Sequence, residues 1–174
     1  MAGTLNIAVR AERAGDADPI RDVNRLAFDG PLEARIVDAL RGAPDSISLV
    51  ATVDDRVIGH ILFTPVSLDP AGDGVRLAGL APMAVHPEFQ RKGVGGALIG
   101  AGLDACRGLS YAAVVVVGHP EYYPRFGFIP AHTRALRYTD DVPPEAFMVL
   151  ELEPGALPAR GGVVRYRPEF AVEE

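Results

Sequence analysis

The residues best suited to chemistry lie in segment 86–96, which reads His-Pro-Glu-Phe-Gln-Arg-Lys-Gly-Val-Gly-Gly. This basic loop leads into three glycines at the predicted start of a helix. Helix N-termini leave backbone N–H groups unpaired and carry partial positive charge, and glycine lets an anion approach them closely. Arg91 and Lys92 precede that start, where cations oppose the helix dipole unless an anion binds. The segment therefore predicts an anion site, with a solvated basic loop as the alternative.

Two common nucleotide-binding motifs do not fit this segment. The dinucleotide fingerprint G-x-G-x-x-G would need a glycine three residues after Gly95, where the chain has Leu98. The Walker A pattern G-x-x-x-x-G-K-[S/T] does not occur in the sequence. The standard signatures for dinucleotides and nucleoside triphosphates are therefore excluded.

The other reactive side chains form no metal-binding or nucleophilic pattern. His60, His86, His119 and His132 are far apart and include no i, i+4 pair, so we predict no metal. The single cysteine, Cys106, lies late in a predicted helix near its packed face, which favours a core residue over a nucleophile. No G-x-S-x-G elbow points to a hydrolase.

Hydrophobic periodicity predicts the elements that position this segment. Strands are predicted at 5–12, 47–53, 57–68, 76–85, 111–117, 128–129 and 147–152, and a short helix or turn at 120–125. Helices are predicted after an Asp16 N-cap, from Leu32 to Gly42 and from Gly93 to Arg107. This order predicts an α+β (mixed α/β) domain with a mostly antiparallel central sheet flanked by helices. The strand–helix–strand unit 76–117 should add one parallel pair.

Composition limits the class of protein. The chain has 174 residues, of which 48% are hydrophobic, with a net charge of −6, so one domain (1–174) with a sizeable core is expected. We place its core at about 5–152, with a C-terminal extension at 153–174 whose segment 163–166 either adds a strand or pairs with another chain. The composition argues against disorder, a membrane span, a secretory signal and general nucleic-acid binding. A cytoplasmic location is the default for a chain without a disulfide.

Two spaced motifs resemble those of a known family. Gln90-x-x-Gly93-x-Gly95, after a strand ending in Val85-x-Pro87, resembles motif A of the GNAT superfamily of N-acetyltransferases. Tyr123, four residues before a Gly-Phe pair, resembles motif B. Segment 118–128 further resembles the YhbS-like subgroup of that superfamily. The resemblance implies a GNAT-like sheet over about residues 5–152, with its parallel pair splayed around the cofactor.

The same resemblance implies roles for individual residues. Acetyl-CoA would be the cosubstrate, and its acetyl group would pass to a primary amine by direct attack. The backbone of Met83 and Val85 would pair with the pantetheine arm, and the Met83 N–H would donate to the thioester carbonyl and its oxyanion. Tyr123 would protonate the departing thiolate, with Tyr122 as the less favoured alternative. The pyrophosphate would be held by Gln90, Arg91, Lys92, Gly93, Val94, Gly95 and Gly96.

A general base for the amine is not identified. Strand residues 77–85 contain no Glu or Asp, and Glu88 is better explained as a surface loop residue. His119 follows a buried strand and is a candidate base, although capping of the 118–120 turn explains it equally well. The missing base leaves two rivals open: a non-catalytic sensor of acyl-CoA, and a relative by fold alone that binds another anion.

The acceptor side is expected at 28–35 and 133–147. The acidic residues there would attract a cationic amine, either a small molecule or a peptide, although we favour a solvated acidic surface as their explanation. These residues are Asp29, Glu33, Asp140, Asp141 and Glu145. A homodimer is possible, and neither it nor the acceptor's identity is decided by the sequence.

Overall fold

The computed structural model describes residues 5–71 and 74–171, and three α-helices and nine strands lie in this part of the chain. The helices are α1 (Ala17–Phe28), α2 (Leu32–Leu40) and α3 (Val94–Gly108). The strands are β1 (Ala8–Ala11), β2 (Ile47–Val53), β3 (Arg56–Asp69), β4 (Leu77–Val85), β5 (Ala113–Val117), β6 (Ile129–Pro130), β7 (Leu136–Tyr138), β8 (Phe147–Glu151) and β9 (Gly162–Arg165).

The strands form a mixed sheet in the order β1-β2-β3-β4-β5-β8-β6, with β9 pairing with both β3 and β7. The described residues fall into two compact units. Unit 1 contains residues 5–62, 82–102 and 168–171, and unit 2 contains the remainder, so the division falls within β3, β4 and α3. The fold class predicted from the sequence is confirmed, and the assignment of the whole chain to one domain stays a prediction.

Unit 1 is built on two amphipathic helices. Their apolar faces pack with residues of β2, β3 and β4 to form a core. The helix α1 ends at Asp29, which adopts a left-handed conformation (φ 53°) just before Gly30 and Pro31. This turn separates α1 from α2, which begins at the predicted residue Leu32. The buried core residues are Ile20, Val23, Ile36, Val37, Leu40, Val50, Val57, Leu62 and Ala84.

The connection between β2 and β3 is a two-residue turn. Asp54 and Asp55 both have positive φ, at 49° and 63°. Positive φ at both central positions is the geometry whose twist suits a tight hairpin, and Asp tolerates it better than most residues. The predicted strands 47–53 and 57–68 are therefore joined by a tight hairpin turn and lie side by side in the sheet.

Asp16 occupies the predicted N-cap position of α1 but does not cap the helix with its side chain. Its carboxylate instead accepts from the Arg13 N–H at 2.6 Å and pairs with Arg10 at 2.7 Å. The predicted N-cap position is therefore confirmed, while the Asp16 side chain bonds to residues before the helix. The strand β1 is shorter than predicted, because pairing with β2 covers only Ala8–Ala11.

A buried polar chain crosses the interior of unit 1. His60, with no exposed surface, lies 2.9 Å from the Ser48 hydroxyl through Nε2 and 3.4 Å from the Asn24 amide through Nδ1. The Ser48 hydroxyl also donates to the Glu12 carboxylate at 2.6 Å, and Nε of Arg41 donates to the same carboxylate at 2.7 Å. The Asn24 amide nitrogen donates, so His60 Nδ1 accepts and Nε2 carries the proton toward Ser48. This arrangement needs His60 to be neutral.

Acid should destabilise the protein through His60. Burial lowers the pKa of this imidazole to about 4 from an ordinary 6.5. Its stabilising contribution is therefore present above pH 6.5 and is lost as pH falls toward 4. We expect the free energy of unfolding in urea to drop by about 2 kcal/mol between pH 7 and pH 5 through this group. In His60→Gln that part of the pH dependence should disappear, and an unchanged pH slope would contradict the assignment.

Unit 2 is centred on β5, whose sequence Ala-Val-Val-Val-Val is buried except at its last residue. Its neighbour β4 runs parallel to it, with pairing from Leu77–Ala113 to Gly79–Val115, while β8 is antiparallel along its whole length. The predicted parallel pair is thus confirmed. Pairing stops at Gly79, although β4 itself continues to Val85.

The C-terminal segment supplies a strand to the same chain. β9 pairs antiparallel with β3, from Ser67–Arg165 to Asp69–Val163, and parallel with β7. Val164 is fully buried in the core of unit 2. Of the two alternatives for segment 163–166, the added strand is correct.

Candidate active site

The loop between β4 and α3 is braced by its own side chains. The Glu88 N–H donates to Nδ1 of His86 at 3.1 Å, at the start of a 3-10 turn spanning Pro87–Phe89. The Gln90 side-chain amide donates to the Val85 carbonyl at 3.0 Å and joins the loop to the end of β4. The Gln90 side chain is therefore engaged within the protein, and the backbone of the following residues is the part of the loop left for a ligand.

The backbone that follows has the form of an anion cradle. Arg91 and Gly93 both have positive φ, at 63° and 88°. When left-handed residues alternate with right-handed ones, successive backbone N–H groups point into one concave site that can bind an anion. The first helical hydrogen bond runs from Ala97 N–H to Gly93 O at 3.1 Å. The N–H groups of the four preceding residues therefore have no acceptor within the helix. Val94 and Leu98 are buried and anchor this end of α3.

The end of β4 offers an edge of backbone groups. The His86 N–H bonds to Ile58 O on β3 at 2.8 Å. Counted back from His86 with regular alternation, Met83 and Val85 would direct their N–H and C=O groups to the opposite edge. The Val85 carbonyl already accepts a hydrogen bond from the Gln90 side-chain amide. The roles of the Met83 and Val85 backbone groups along this edge stay predictions.

Tyr123 lies in unit 2 at the start of a 3-10 turn, Tyr123–Phe126, that ends at Gly127 with φ 99°. Its side chain is 7% exposed and packs edge-on against Phe128, with ring centroids 5.6 Å apart. Burial raises the pKa of Tyr123 to about 12. The phenol is therefore protonated throughout the neutral range, as a proton donor must be.

The Tyr123 ring packs directly against Gly118, in the space that a side chain at that position would occupy. A Cβ atom built on Gly118 would lie 2.4 Å from Tyr123 Cε2, which is closer than non-bonded atoms approach. Gly118→Ala must therefore displace the ring, at a cost of about 1–3 kcal/mol in stability from overpacking. If Tyr123 donates the proton, we expect turnover to fall by roughly tenfold or more with cofactor affinity retained, because misplaced catalytic groups lose rate steeply. Retention of full turnover in the folded variant would contradict that role.

The candidate base and the alternative tyrosine lie beside Tyr123. His119 is exposed, and its carbonyl accepts from the N–H groups of Tyr122 at 3.1 Å and Tyr123 at 3.4 Å. The backbone of His119 therefore closes the turn. Tyr122 is half-buried between Tyr123 and Phe126, with ring centroids 5.2 and 5.3 Å away.

The acidic acceptor candidates are divided between the two units. In unit 1, Asp29 ends α1 and Glu33 lies in the first turn of α2. In unit 2, Asp140 and Asp141 line a recess of about 290 Å³, and Glu145 belongs to the 3-10 turn Pro144–Ala146. The recess is lined by His132, Leu136, Arg137, Tyr138, Asp140, Asp141, Val142, Pro144 and Phe147.

Two contacts in these regions were not foreseen from the sequence. Arg56, at the start of β3, lies against His86 and Phe89 of the loop. Tyr166, directly after β9, is partly buried and donates to the Val115 carbonyl of β5 at 3.2 Å. Each contact joins residues 30 or more positions apart, and local periodicity carries no information about such pairs.

Cys106 is fully buried in α3, and burial raises the pKa of its thiol to about 12. This fits the predicted core role, since thiols react as thiolates. Within residues 5–71 and 74–171, no three His, Cys, Asp or Glu side chains are grouped so as to hold a metal ion. In the same part of the chain, none of the helices has both the length and the apolar character needed to cross a bilayer.

The fold and the loop together define a class of protein. A mixed sheet with a parallel β4–β5 pair, a glycine-rich helix start after β4 and a Tyr-x-x-x-Gly-Phe segment after β5 are the features of GNAT-type acetyltransferases. The model of the Acetyltransferase (GNAT) family matches residues 17–128. The chain belongs to this family.

One curated relative matches nearly the whole chain, and another matches about two thirds of it. The chain is 37% identical over 164 residues to the Escherichia coli K12 protein called "Uncharacterized N-acetyltransferase YhbS", covering 93% of this chain and 97% of the relative. It is also 42% identical over 118 residues to YjhQ of the same strain, another uncharacterized N-acetyltransferase, covering 66% of this chain and 65% of that one. The predicted likeness to the YhbS-like subgroup is thereby confirmed.

Two solved structures share the fold. Escherichia coli YhbS, solved in complex with CoA, superposes with a TM-score of 0.90 at 34% identity, covering 99% of this chain and 96% of that one. A GNAT family acetyltransferase from Brucella melitensis, solved with acetyl-CoA, gives a TM-score of 0.76 at 37% identity, covering 95% and 98%. The GNAT-like architecture expected from the sequence is therefore correct.

Proposed function

We propose that this chain transfers the acetyl group of acetyl-CoA to a primary amine by direct attack of the amine on the thioester. The observation that carries the proposal is the loop at residues 90–96, where the positive φ of Arg91 and Gly93 leads into N–H groups that have no acceptor within α3. The CoA and acetyl-CoA complexes of the two related structures support acetyl-CoA as the anionic ligand.

The cradle would bind the pyrophosphate through backbone N–H groups. Phosphate oxygens are strong acceptors, and the positive end of α3 favours their charge. Arg91 and Lys92 are exposed and would partly neutralise that charge. In this proposal Gln90 acts by bracing the loop against Val85, because its side-chain amide is already bonded there. The cradle residues are Gln90, Arg91, Lys92, Gly93, Val94, Gly95 and Gly96.

The pantetheine arm would lie along the open edge of β4. Met83 offers both an N–H and a carbonyl, and Val85 offers its N–H. The Met83 N–H would donate to the thioester oxygen, a bond that strengthens as that oxygen becomes an oxyanion. Pro82, which has no N–H, cannot take this role.

Proton transfers complete the proposed reaction. The neutral amine forms a C–N bond to the thioester carbon, and the carbonyl electron pair moves onto the oxygen. Collapse of the tetrahedral intermediate breaks the C–S bond, and Tyr123 donates its phenolic proton to the leaving sulfur. The attacking amine gives up its own proton to solvent or to His119, and Tyr123 is reprotonated from solvent.

The acceptor is proposed to be a primary amine, on a small molecule or a peptide. In unit 2, the lining of the recess that contains Asp140 and Asp141 also includes Tyr138, Phe147 and the basic Arg137, and its two carboxylates and aromatic rings would attract a cationic ligand. Asp29 and Glu33 of unit 1 are better explained as solvated surface. Action of both units as one catalytic domain, a cytoplasmic location and a homodimer remain predictions.

Calorimetric titration of the purified protein with acetyl-CoA tests the proposal, with NADH and ATP as controls. We expect selective binding in the micromolar range, about −8 kcal/mol, followed by release of free thiol when a panel of amines is added. Binding without thiol release from any amine would favour the non-catalytic sensor, which the comparisons do not support. Failure to bind acetyl-CoA would overturn both the acetyltransferase proposal and the sensor alternative, and only the assignment of the fold would remain.

A further inference from the structure

Four side chains of unit 1 converge beside the cradle, and we call them the Phe89 cluster: Arg56, His86, Phe89 and Lys92. The Arg56 guanidinium carbon lies 5.5 Å from the centre of the Phe89 ring, and the Lys92 ammonium lies 5.8 Å from it. The His86 ring meets Phe89 edge-on at 5.7 Å. The Arg56 and Lys92 cations and the His86 ring thus all lie around the Phe89 ring, although the two cations repel each other.

The contacts of His86 show which of its ring nitrogens donates and which accepts. Nδ1 of His86 accepts the Glu88 N–H, so this nitrogen carries no proton. A neutral imidazole with an unprotonated Nδ1 must carry its proton on Nε2. That N–H lies 3.3 Å from Nη2 of Arg56, which is also a donor. Two donors therefore meet without an acceptor between them, and an anionic oxygen would satisfy both.

The surrounding charges limit what that anion can be. Neither Arg56 nor Lys92 forms an ion pair with a carboxylate of the described residues, so their charge is free to attract an anion. Arg56 and His86 also line a groove of about 850 Å³ whose lining includes four carboxylates, those of Asp16, Asp18, Asp22 and Asp55. These carboxylates oppose a free polyanion in the groove. The arrangement suits one phosphate presented by a ligand that is anchored elsewhere.

We propose that the Phe89 cluster binds the 3′-phosphate on the ribose of coenzyme A and so selects CoA over its 3′-dephospho form. The assignment rests on the proposed function, since it needs the pyrophosphate in the cradle. Phe89 directly precedes Gln90, and consecutive Cα atoms are about 3.8 Å apart. The 3′-phosphate is carried on the ribose joined to the pyrophosphate, so one ligand would fill the cradle and the cluster together. Arg56 and His86 would each donate to the phosphate, and Lys92 would add charge.

Calorimetric titrations with CoA and with 3′-dephospho-CoA test this assignment. For the unmodified protein we expect 3′-dephospho-CoA to bind roughly tenfold more weakly, as loss of a charge-assisted contact at an exposed site implies. Arg56→Gln should weaken CoA binding roughly tenfold and leave 3′-dephospho-CoA binding unchanged. Arg13→Gln makes the same charge change at an exposed arginine on another part of unit 1 and should leave both affinities unchanged.

The outcomes separate this assignment from the function on which it rests. Equal affinity of the unmodified protein for the two nucleotides would overturn the 3′-phosphate assignment alone, as would an equal loss of both affinities in Arg56→Gln. Failure of both nucleotides to bind the unmodified protein would overturn the proposed function and this assignment with it. If Arg56→Gln unfolds at the same temperature as the unmodified protein, its changed affinity is due to the lost contact and not to partial unfolding.

Discussion

Tyr123→Phe is expected to lower turnover by about 10²- to 10⁴-fold, the contribution typical of a positioned proton donor. The substitution removes only the hydroxyl, so the ring keeps its packing against Phe128. Burial raises the pKa of this tyrosine to about 12, so the acid form persists across the pH range in which the amine becomes neutral. Turnover of the unmodified enzyme should therefore rise with pH as the acceptor loses its proton, with no decline from Tyr123 up to about pH 10. Steady-state thiol release over a pH series measures both effects.

Tyr122→Phe is the matched control, because it removes the same hydroxyl from the adjacent residue. Its turnover should stay near that of the unmodified enzyme. The affinity of Tyr123→Phe for acetyl-CoA should also be unchanged, since the proposed contact forms with sulfur only as it leaves. Wild-type turnover in Tyr123→Phe, or an equal loss in Tyr122→Phe, would remove Tyr123 from the mechanism.

Gly95→Glu is expected to reduce affinity for acetyl-CoA by at least about 100-fold. The new carboxylate would lie at the N-terminus of α3, among the N–H groups left without helical acceptors, and would repel the pyrophosphate. A negative charge at a helix N-terminus is itself favourable, by about 0.3–1 kcal/mol. Binding should therefore be lost without loss of stability, and calorimetry together with thermal unfolding measures the two separately.

Gly100→Glu supplies the control on the same helix. It makes the same change of charge and size, but Gly100 is exposed and a Cβ atom there has no neighbour within 4 Å. Its affinity for acetyl-CoA should match that of the unmodified protein. Equal binding by Gly95→Glu and Gly100→Glu would show that the start of α3 is not the cradle.

Much of this protein was determined by local sequence. The helix α2 begins at the predicted residue Leu32 and ends at Leu40, two residues before the predicted end, because its apolar stripe is strongly periodic and Gly42 follows it. The Asp54–Asp55 turn and the glycine-rich loop were predictable for the same reason. Their conformations depend on the steric preferences of a few consecutive residues. Those preferences act before any tertiary contact forms.

The tertiary structure alone decided which distant groups meet. Segment 163–166 has no local feature that selects β3 as its partner, and the pairing is made by burial of Val164 in the core of unit 2. In the same way, Arg56 reaches His86 only because β3 runs beside the end of β4. Strand pairing and side-chain packing are set by the free energy of the whole folded chain, whereas propensity and periodicity describe only neighbours in sequence.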